Sequence, residues 1–520
     1  MNPLNAMIIA ACIAMPATAA ADSDLRWGDL GDGTFANPVL NADYSDPDVI
    51  RVGNKYYMTC SEFHYMGMLI LESDDMVNWR IISRVYDSID LPGYSDMTKY
   101  ASGTWAPALR YHDGKFWIFV CTPDEGLFMT TASNPAGPWE PLNLVKGIEK
   151  WEDPCPFWDD DGTAYLGRSR HGAGPIILHR MSPDGRELLD DGVEVYRGPV
   201  AEGTKIFKRD GYYYMSIPEG GVSKGWQTVL RSKNIYGPYE SRRVLERGST
   251  EINGPHQGAL VDTPDGEWWF YHFQSAGPRG RVLHLQPVVW RDGFPEIGTD
   301  YDGNGVGEPM KVCRKPSTGV SGKPYTPQSS DEFSGMRPGI QWQFNHNPDS
   351  AYISVSDGWL NITPMKSPRL RTARNQLVQK IMGYRSSAST KVDFSRLPDG
   401  GRCGIVSIGK RHIGAGVENL GGKRSLYMEI DSIVERHDLP ENCDTVYLRL
   451  DIDTEANVNQ YHVSIDGEHF MPLGSPFETE AHDWKGNHIG LYCYTTGSTN
   501  GKASFDYFRY THNGPASLPQ

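Results

Sequence analysis

The chain has 520 residues, too many for one ordinary hydrophobic core, so two folded units are expected. Its 56 Gly, 36 Pro, 14 Trp and 27 Tyr, with no long Ala/Leu/Glu/Lys-rich stretch, argue for strands and turns over helices. A formal charge of −15 argues against a nucleic-acid partner, whose phosphates such a surface repels.

Ala6 to Ala21 form a short apolar run ending in small residues of the type a signal peptidase cuts, with cleavage expected within Ala19 to Ala21. The run is too short for a membrane span, and no Lys or Arg precedes it. The expectation is a signal peptide over 1–21 and an exported protein, periplasmic or extracellular. Cys12 offers an alternative, a lipid anchor. Without Cys12, seven widely spaced cysteines remain, with no CxxC or Cys/His spacing that suggests zinc, so buried free thiols are expected.

Asn37 to Met58 reads as strand, turn, strand, with Asp43, Asp46 and Asp48 around two prolines. Pro47 predicts an extended backbone at Asp46. From here a pattern recurs: an extended opening segment, a turn holding Gly or Asn, then an aromatic-rich strand. The five copies are Val52-Gly53-Asn54-Lys55-Tyr56-Tyr57, His112-Asp113-Gly114-Lys115-Phe116-Trp117, Asp160-Asp161-Gly162-Thr163-Ala164-Tyr165, Arg209-Asp210-Gly211-Tyr212-Tyr213-Tyr214 and Pro264-Asp265-Gly266-Glu267-Trp268-Trp269. Asp-Gly between β-prone runs is a strong hairpin signal. Copies at intervals of about 45 to 60 residues suit four-stranded propeller blades, whereas stacked helix pairs need a 3.6-residue apolar period that is missing. The reading is all-β: a five-bladed β-propeller over 22–310.

Past Phe294-Pro295 the pattern stops. Asp300 to Gly305 imitates the start of a calcium loop, but its twelfth position is Lys311 where a bidentate Glu belongs, which favours a solvated acidic turn. Residues 311–330 read as linker. Alternating segments such as Thr445 to Ile452 and Gln460 to Gly467 then predict an antiparallel β-sandwich over 331–520.

In a propeller the first strand of each blade lines the central channel. The opening motifs are Ser45-Asp46-Pro47, Trp105-Ala106-Pro107-Ala108, Glu152-Asp153-Pro154, Ala201-Glu202-Gly203 and Gly254-Pro255-His256. Three offer a carboxylate at matched positions and a fourth an imidazole. Neighbouring carboxylates raise a pKa, which costs stability but keeps an acid protonated near neutral pH. Glycosidic cleavage needs that equipment: one carboxyl to protonate the leaving oxygen and another to activate water. Asp46 as base and Glu202 as acid, with Asp153 nearby, is the division expected. Asp43 and Asp48 read as ordinary turn or strand-edge acids.

These motifs, in this order, resemble glycoside hydrolase family 43, five-bladed propeller enzymes acting on xylan and arabinan side chains. The resemblance implies that Asp46 is the base, that Asp153 tunes and orients the acid, and that Glu202 is the acid. It also implies that Phe63 and Trp105 wall the sugar that is cleaved off and that Arg281 binds it. For both aromatics core packing competes with sugar stacking, and for Arg281 a surface salt bridge competes. His256 resembles an axial histidine beside a calcium or other ion; a buried, hydrogen-bonded histidine is the alternative, and no cofactor is otherwise required. Asp331-Glu332-Phe333-Ser334, Gln341 to Pro348 and Ala373 to Leu377 are similar to the concanavalin-like sandwich of the family's β-xylosidases, where a sandwich loop walls the active-site mouth. Tyr65 stands where many xylosidases have Trp, so xylose and arabinose both remain open. The expected substrate is a xylo- or arabino-oligosaccharide cleaved from its end with inversion. Two rivals are a fructan hydrolase, whose Asn-Asp-Pro-Asn and Arg-Asp-Pro motifs are only partly matched, and a non-catalytic sugar-binding protein.

Overall fold

The computed structural model describes residues 26–515 apart from 64, 432 and 483. The expected signal peptide and Cys12 lie outside the described residues. Five consecutive four-stranded antiparallel meanders follow the five repeats. Blade 1 runs from Asp48–Val52 to Arg80–Arg84, blade 2 from Trp105–His112 to Asn143–Gly147, and blade 3 from Trp151–Trp158 to Val193–Tyr196. Blade 4 runs from Lys205–Arg209 to Glu240–Leu245, and blade 5 from His256–Asp262 to Phe294–Ile297. Blade 5 takes a further strand from the beginning of the chain, Leu40–Asp43, which pairs with Arg281–Arg291 and closes the ring. At the hairpins of blades 2 and 4, φ is positive at both Asp113 and Gly114 and at both Asp210 and Gly211, the type I′ geometry that Asp-Gly favours. Second strands such as Lys115–Thr122 are buried along almost their whole length, because neighbouring blades cover both faces.

Residues 311–330 are laid against the propeller. Val312–Arg314 pairs with Thr34–Ala36, which pairs with Gly28–Asp29, making a three-stranded sheet. Lys315 then donates to Asp29 at 2.7 Å and to Asp75 at 2.6 Å. Asp300 accepts from the backbone amides of Gly303, Asn304 and Gly305, the bonding of a self-contained acidic turn.

Two packed sheets form the C-terminal sandwich. Alternation is clear in Arg385–Asp393 and Thr445–Asp453, where every second residue is buried. His488–Thr495, in the other sheet, is buried throughout because its outer face meets the propeller, where Tyr65 stacks on His488 at 4.1 Å. One apolar cluster runs from Tyr44, Leu69 and Tyr271 into Leu377, Ile405 and Leu491, so the two units share a core. The seven described cysteines are free; six are buried and Cys443 is half-buried. No described helix is long and apolar enough to cross a membrane.

Candidate active site

The inner strands of the blades open with a shared irregularity. Asp46, Ala106, Asp153, Gly203 and Gln257 all have positive φ, between 38° and 62°. In blades 2, 3 and 5 the ladder register shifts there, between Trp105 and Ala108, Glu152 and Cys155, and His256 and Gly258. Asp46 is therefore left-handed, not extended as its proline predicts; Asp tolerates this region, and Pro47 disfavours the right-handed one. The shared bulge also sharpens the matching of the carboxylates. Asp46 and Asp153 are equivalent, whereas Glu202 and His256 stand one residue earlier, equivalent to Glu152 and Trp105.

All seven expected site residues line one cavity of ≈ 250 Å³: Asp46, Phe63, Trp105, Asp153, Glu202, His256 and Arg281. Asp46 accepts from Ser45 Oγ at 2.9 Å, Ser61 Oγ at 2.6 Å and Arg281 Nη1 at 2.9 Å. Three donors and no acceptor are what an ionised carboxylate wants, which fits a base. Arg281 is buried, so the surface salt-bridge alternative fails; it is the partner of Asp46 as well as a cavity wall.

Asp153 is buried and its oxygens are occupied: Oδ2 accepts from Ser169 Oγ at 2.9 Å and the Gly203 amide at 2.7 Å, and Oδ1 from Gln257 Nε2 at 3.1 Å. The Gly203 bond ties Asp153 to the residue after Glu202. Burial, then the charges of Glu202 and Asp46, push Asp153 up to about 6, against the pull of the Gly203 amide and Gln257.

Glu202 is half-buried, and its Oε1 lies 2.7 Å from His256 Nε2. A carboxylate accepting from the ring and a protonated carboxyl donating to it both satisfy this contact, which suits a group that gives up and regains a proton. His256 turns its Nε2 on Glu202, and its Nδ1 is buried without a protein partner. Calcium asks for six to eight oxygens, so the ring by itself does not make a calcium site.

Phe63 and Trp105 meet edge to face at 5.7 Å, and both line the cavity. Phe63 is 3% exposed, so packing and cavity wall are one role. Trp105 is flanked by His171 at 5.1 Å and by Trp484 at 6.3 Å. Trp484 comes from the sandwich and completes the mouth. Tyr65 is turned away, onto the sandwich.

Sequence reasoning passed over Glu152, Gln257, His171 and Trp484, all of which line the cavity. Glu152 and Gln257 carried a signal, since each adjoins or occupies the repeat-equivalent position. Trp484 carried none, because only the fold brings it there. Asp43 and Asp48 are not peripheral acids: each is 1% exposed. Asp43 accepts the amides of Arg281 at 2.9 Å and Gly486 at 3.1 Å, tying the arginine to the Trp484 loop. Glu152, Asp153 and Glu202 each place an oxygen within 4.8 Å of the others. Asp153 brings its three donors to that group, and Glu202 its contact with His256.

Convergent carboxyls and aromatic walls at the mouth of a β-propeller define a glycoside hydrolase. Residues 35–295 match the model of glycosyl hydrolases family 43, and residues 330–511 match that of the β-xylosidase C-terminal concanavalin A-like domain. The chain belongs to glycosyl hydrolase family 43. It is 52% identical over 480 residues to a putative β-xylosidase of Xylanibacter ruminicola, covering 90% of this chain and 88% of that protein. It is 35% identical to a β-xylosidase of Formosa agariphila, covering 95% and 93%. The crystal structure of the GH43 protein BlXynB from Bacillus licheniformis superposes with a TM-score of 0.81 at 26% identity, covering 92% of this chain and 99% of that one.

Proposed function

We propose that the protein is an exo-acting glycosidase that releases terminal β-1,4-xylosyl units, with terminal α-L-arabinofuranosyl as the alternative, from hemicellulose oligosaccharides with inversion. The observation that carries this is the pairing, in one cavity, of Asp46 held by three donors with Glu202 held by His256. Asp46 takes a proton from water as it attacks the anomeric carbon, while Glu202 delivers a proton to the departing oxygen. Asp153 holds the Gly203 amide, and so the acid's backbone, and its charge favours the protonated acid. Trp484, Phe63 and Trp105 narrow the cavity to a pocket, which supports attack at a chain end over attack in mid-chain.

The β-xylosidase relatives support xylose; the Bacteroides ovatus relative, a non-reducing end α-L-arabinofuranosidase at 26% identity, keeps arabinose as the second reading. The apolar leader supports export. Aryl β-xyloside and aryl α-arabinofuranoside assayed side by side test the proposal: turnover of the xyloside is expected to dominate. Silence on both, with measurable xylan binding, would leave a sugar-binding protein.

A further inference from the structure

Glu152 has no part in the mechanism above, yet it lines the same cavity. By the shared bulge it stands in blade 3 where Glu202 stands in blade 4. It is 7% exposed, and its Oε1 is buried without a protein partner. A carboxyl oxygen left unpaired in a residue that lines a cavity is costly unless a ligand completes it. We propose that Glu152 is a further substrate-binding residue, whose free oxygen takes up a hydroxyl of the terminal sugar beside Glu202. This rests on the glycosidase reading of the site.

Three observations give the inference its chemistry. Glu152 is buried whereas Glu202 is half-buried, so of the two glutamates that line the cavity Glu152 is the more enclosed. The charged and titratable groups that act on it are Asp153 on its own strand, Glu202 on blade 4 and Asp46 on blade 1, all of one sign. Burial first, then Asp153, Glu202 and Asp46, push Glu152 up to about 9, with the Ala173 amide pulling the other way. Glu152 therefore carries a proton across the neutral range, and it meets the sugar as a hydrogen-bond donor as well as an acceptor. That distinguishes it from Asp46, which is surrounded by donors and can only accept.

Glu152→Gln and Glu152→Val test this, because Gln keeps a neutral donor and acceptor of the same length and Val keeps neither. On the aryl glycoside that the wild type prefers, E152Q should stay within about threefold of the wild-type kcat/KM at pH 6 to 7, while E152V should lose about tenfold or more, chiefly through KM. Thermal unfolding should show both variants folded. E152V within about twofold of wild type, or E152Q as impaired as E152V, would overturn the proposal. A calcium- or EDTA-dependent wild-type rate that vanishes in E152Q would overturn it too, by making the three acids a cation site. If the wild type turned over neither glycoside, the glycosidase reading would fail separately. Calorimetric binding of xylose and arabinose to wild type and E152V would then decide for Glu152, with weaker binding to E152V expected and equal binding overturning it.

Discussion

Two cavities sit along the same five inner strands, and they treat charge in opposite ways. At the mouth, four carboxyls, Asp46, Glu152, Asp153 and Glu202, share one guanidinium, Arg281. Further along the strands a larger cavity of ≈ 410 Å³ is lined by Asp48, Arg51, Arg110, Lys205, Lys208 and Asp262 among others. There every acid has its base: Asp48 lies 2.7 Å from Arg110 and 3.5 Å from Lys205, and Asp262 lies 2.7 Å from Arg51. Lys208 bonds Asp159 at 2.6 Å. The larger cavity is electrostatically quiet, and the smaller one holds uncompensated acid. Size does not single out the candidate active site here; unbalanced charge does.

The comparison is broken most decisively by removing an acid from each end. Asp46→Ala and Glu202→Ala should each lower turnover by about a thousandfold or more; Glu202→Ala should leave thermal unfolding close to wild type, while Asp46→Ala also loses some stability because Arg281 is left buried without its carboxylate. Asp48→Ala should do the reverse, costing about 3 kcal/mol in urea unfolding, because Arg110 and Lys205 are left buried without their partner. The folded fraction of that variant should keep most of its activity.

A smaller effect is expected from Asp153→Asn. Removing a negative charge beside Glu202 makes the acid easier to ionise, so the alkaline limb of the pH–rate profile should move down by about one pH unit. An unmoved limb would show that Asp153 acts through the Gly203 amide alone. The last effect is in stability. Glu152 is raised in the folded protein from an ordinary 4.5 to about 9, so the native state holds a proton that the unfolded chain releases. Stability from this group is complete below the unfolded value and is lost as pH rises toward the folded one. The melting temperature of E152Q relative to wild type should accordingly climb from pH 5 to pH 9; a constant difference would remove the raised Glu152 from the account.

Local signals made much of this readable in the chain. Asp-Gly turns before aromatic runs announced the five meanders, because a type I′ turn needs residues that accept positive φ. The spacing of the repeat also put Asp46, Asp153 and Glu202 near one axis. It was off by one residue at Glu202, since a bulge adds a residue that spacing in the sequence does not reveal. Glu152 was hidden for the same reason, reading as the neighbour of a catalytic acid and not as the equivalent of one. Trp484 was hidden for another: it lies 187 residues past Ile297, the end of the propeller's last blade, and only packing of the sandwich returns it to the mouth. Asp43 and Asp48 looked like turn acids because burial and long-range partners leave no mark on local sequence.

The central claim is that the unbalanced carboxyls at the mouth carry out a single displacement, with Asp46 driving water and Glu202 protonating the leaving oxygen. Proton NMR of the xylose first released from an aryl β-xyloside tests it directly. The account predicts α-xylose as the initial anomer, followed by mutarotation. Initial release of β-xylose would mean a covalent intermediate on Asp46 and would contradict the assignment of base and acid.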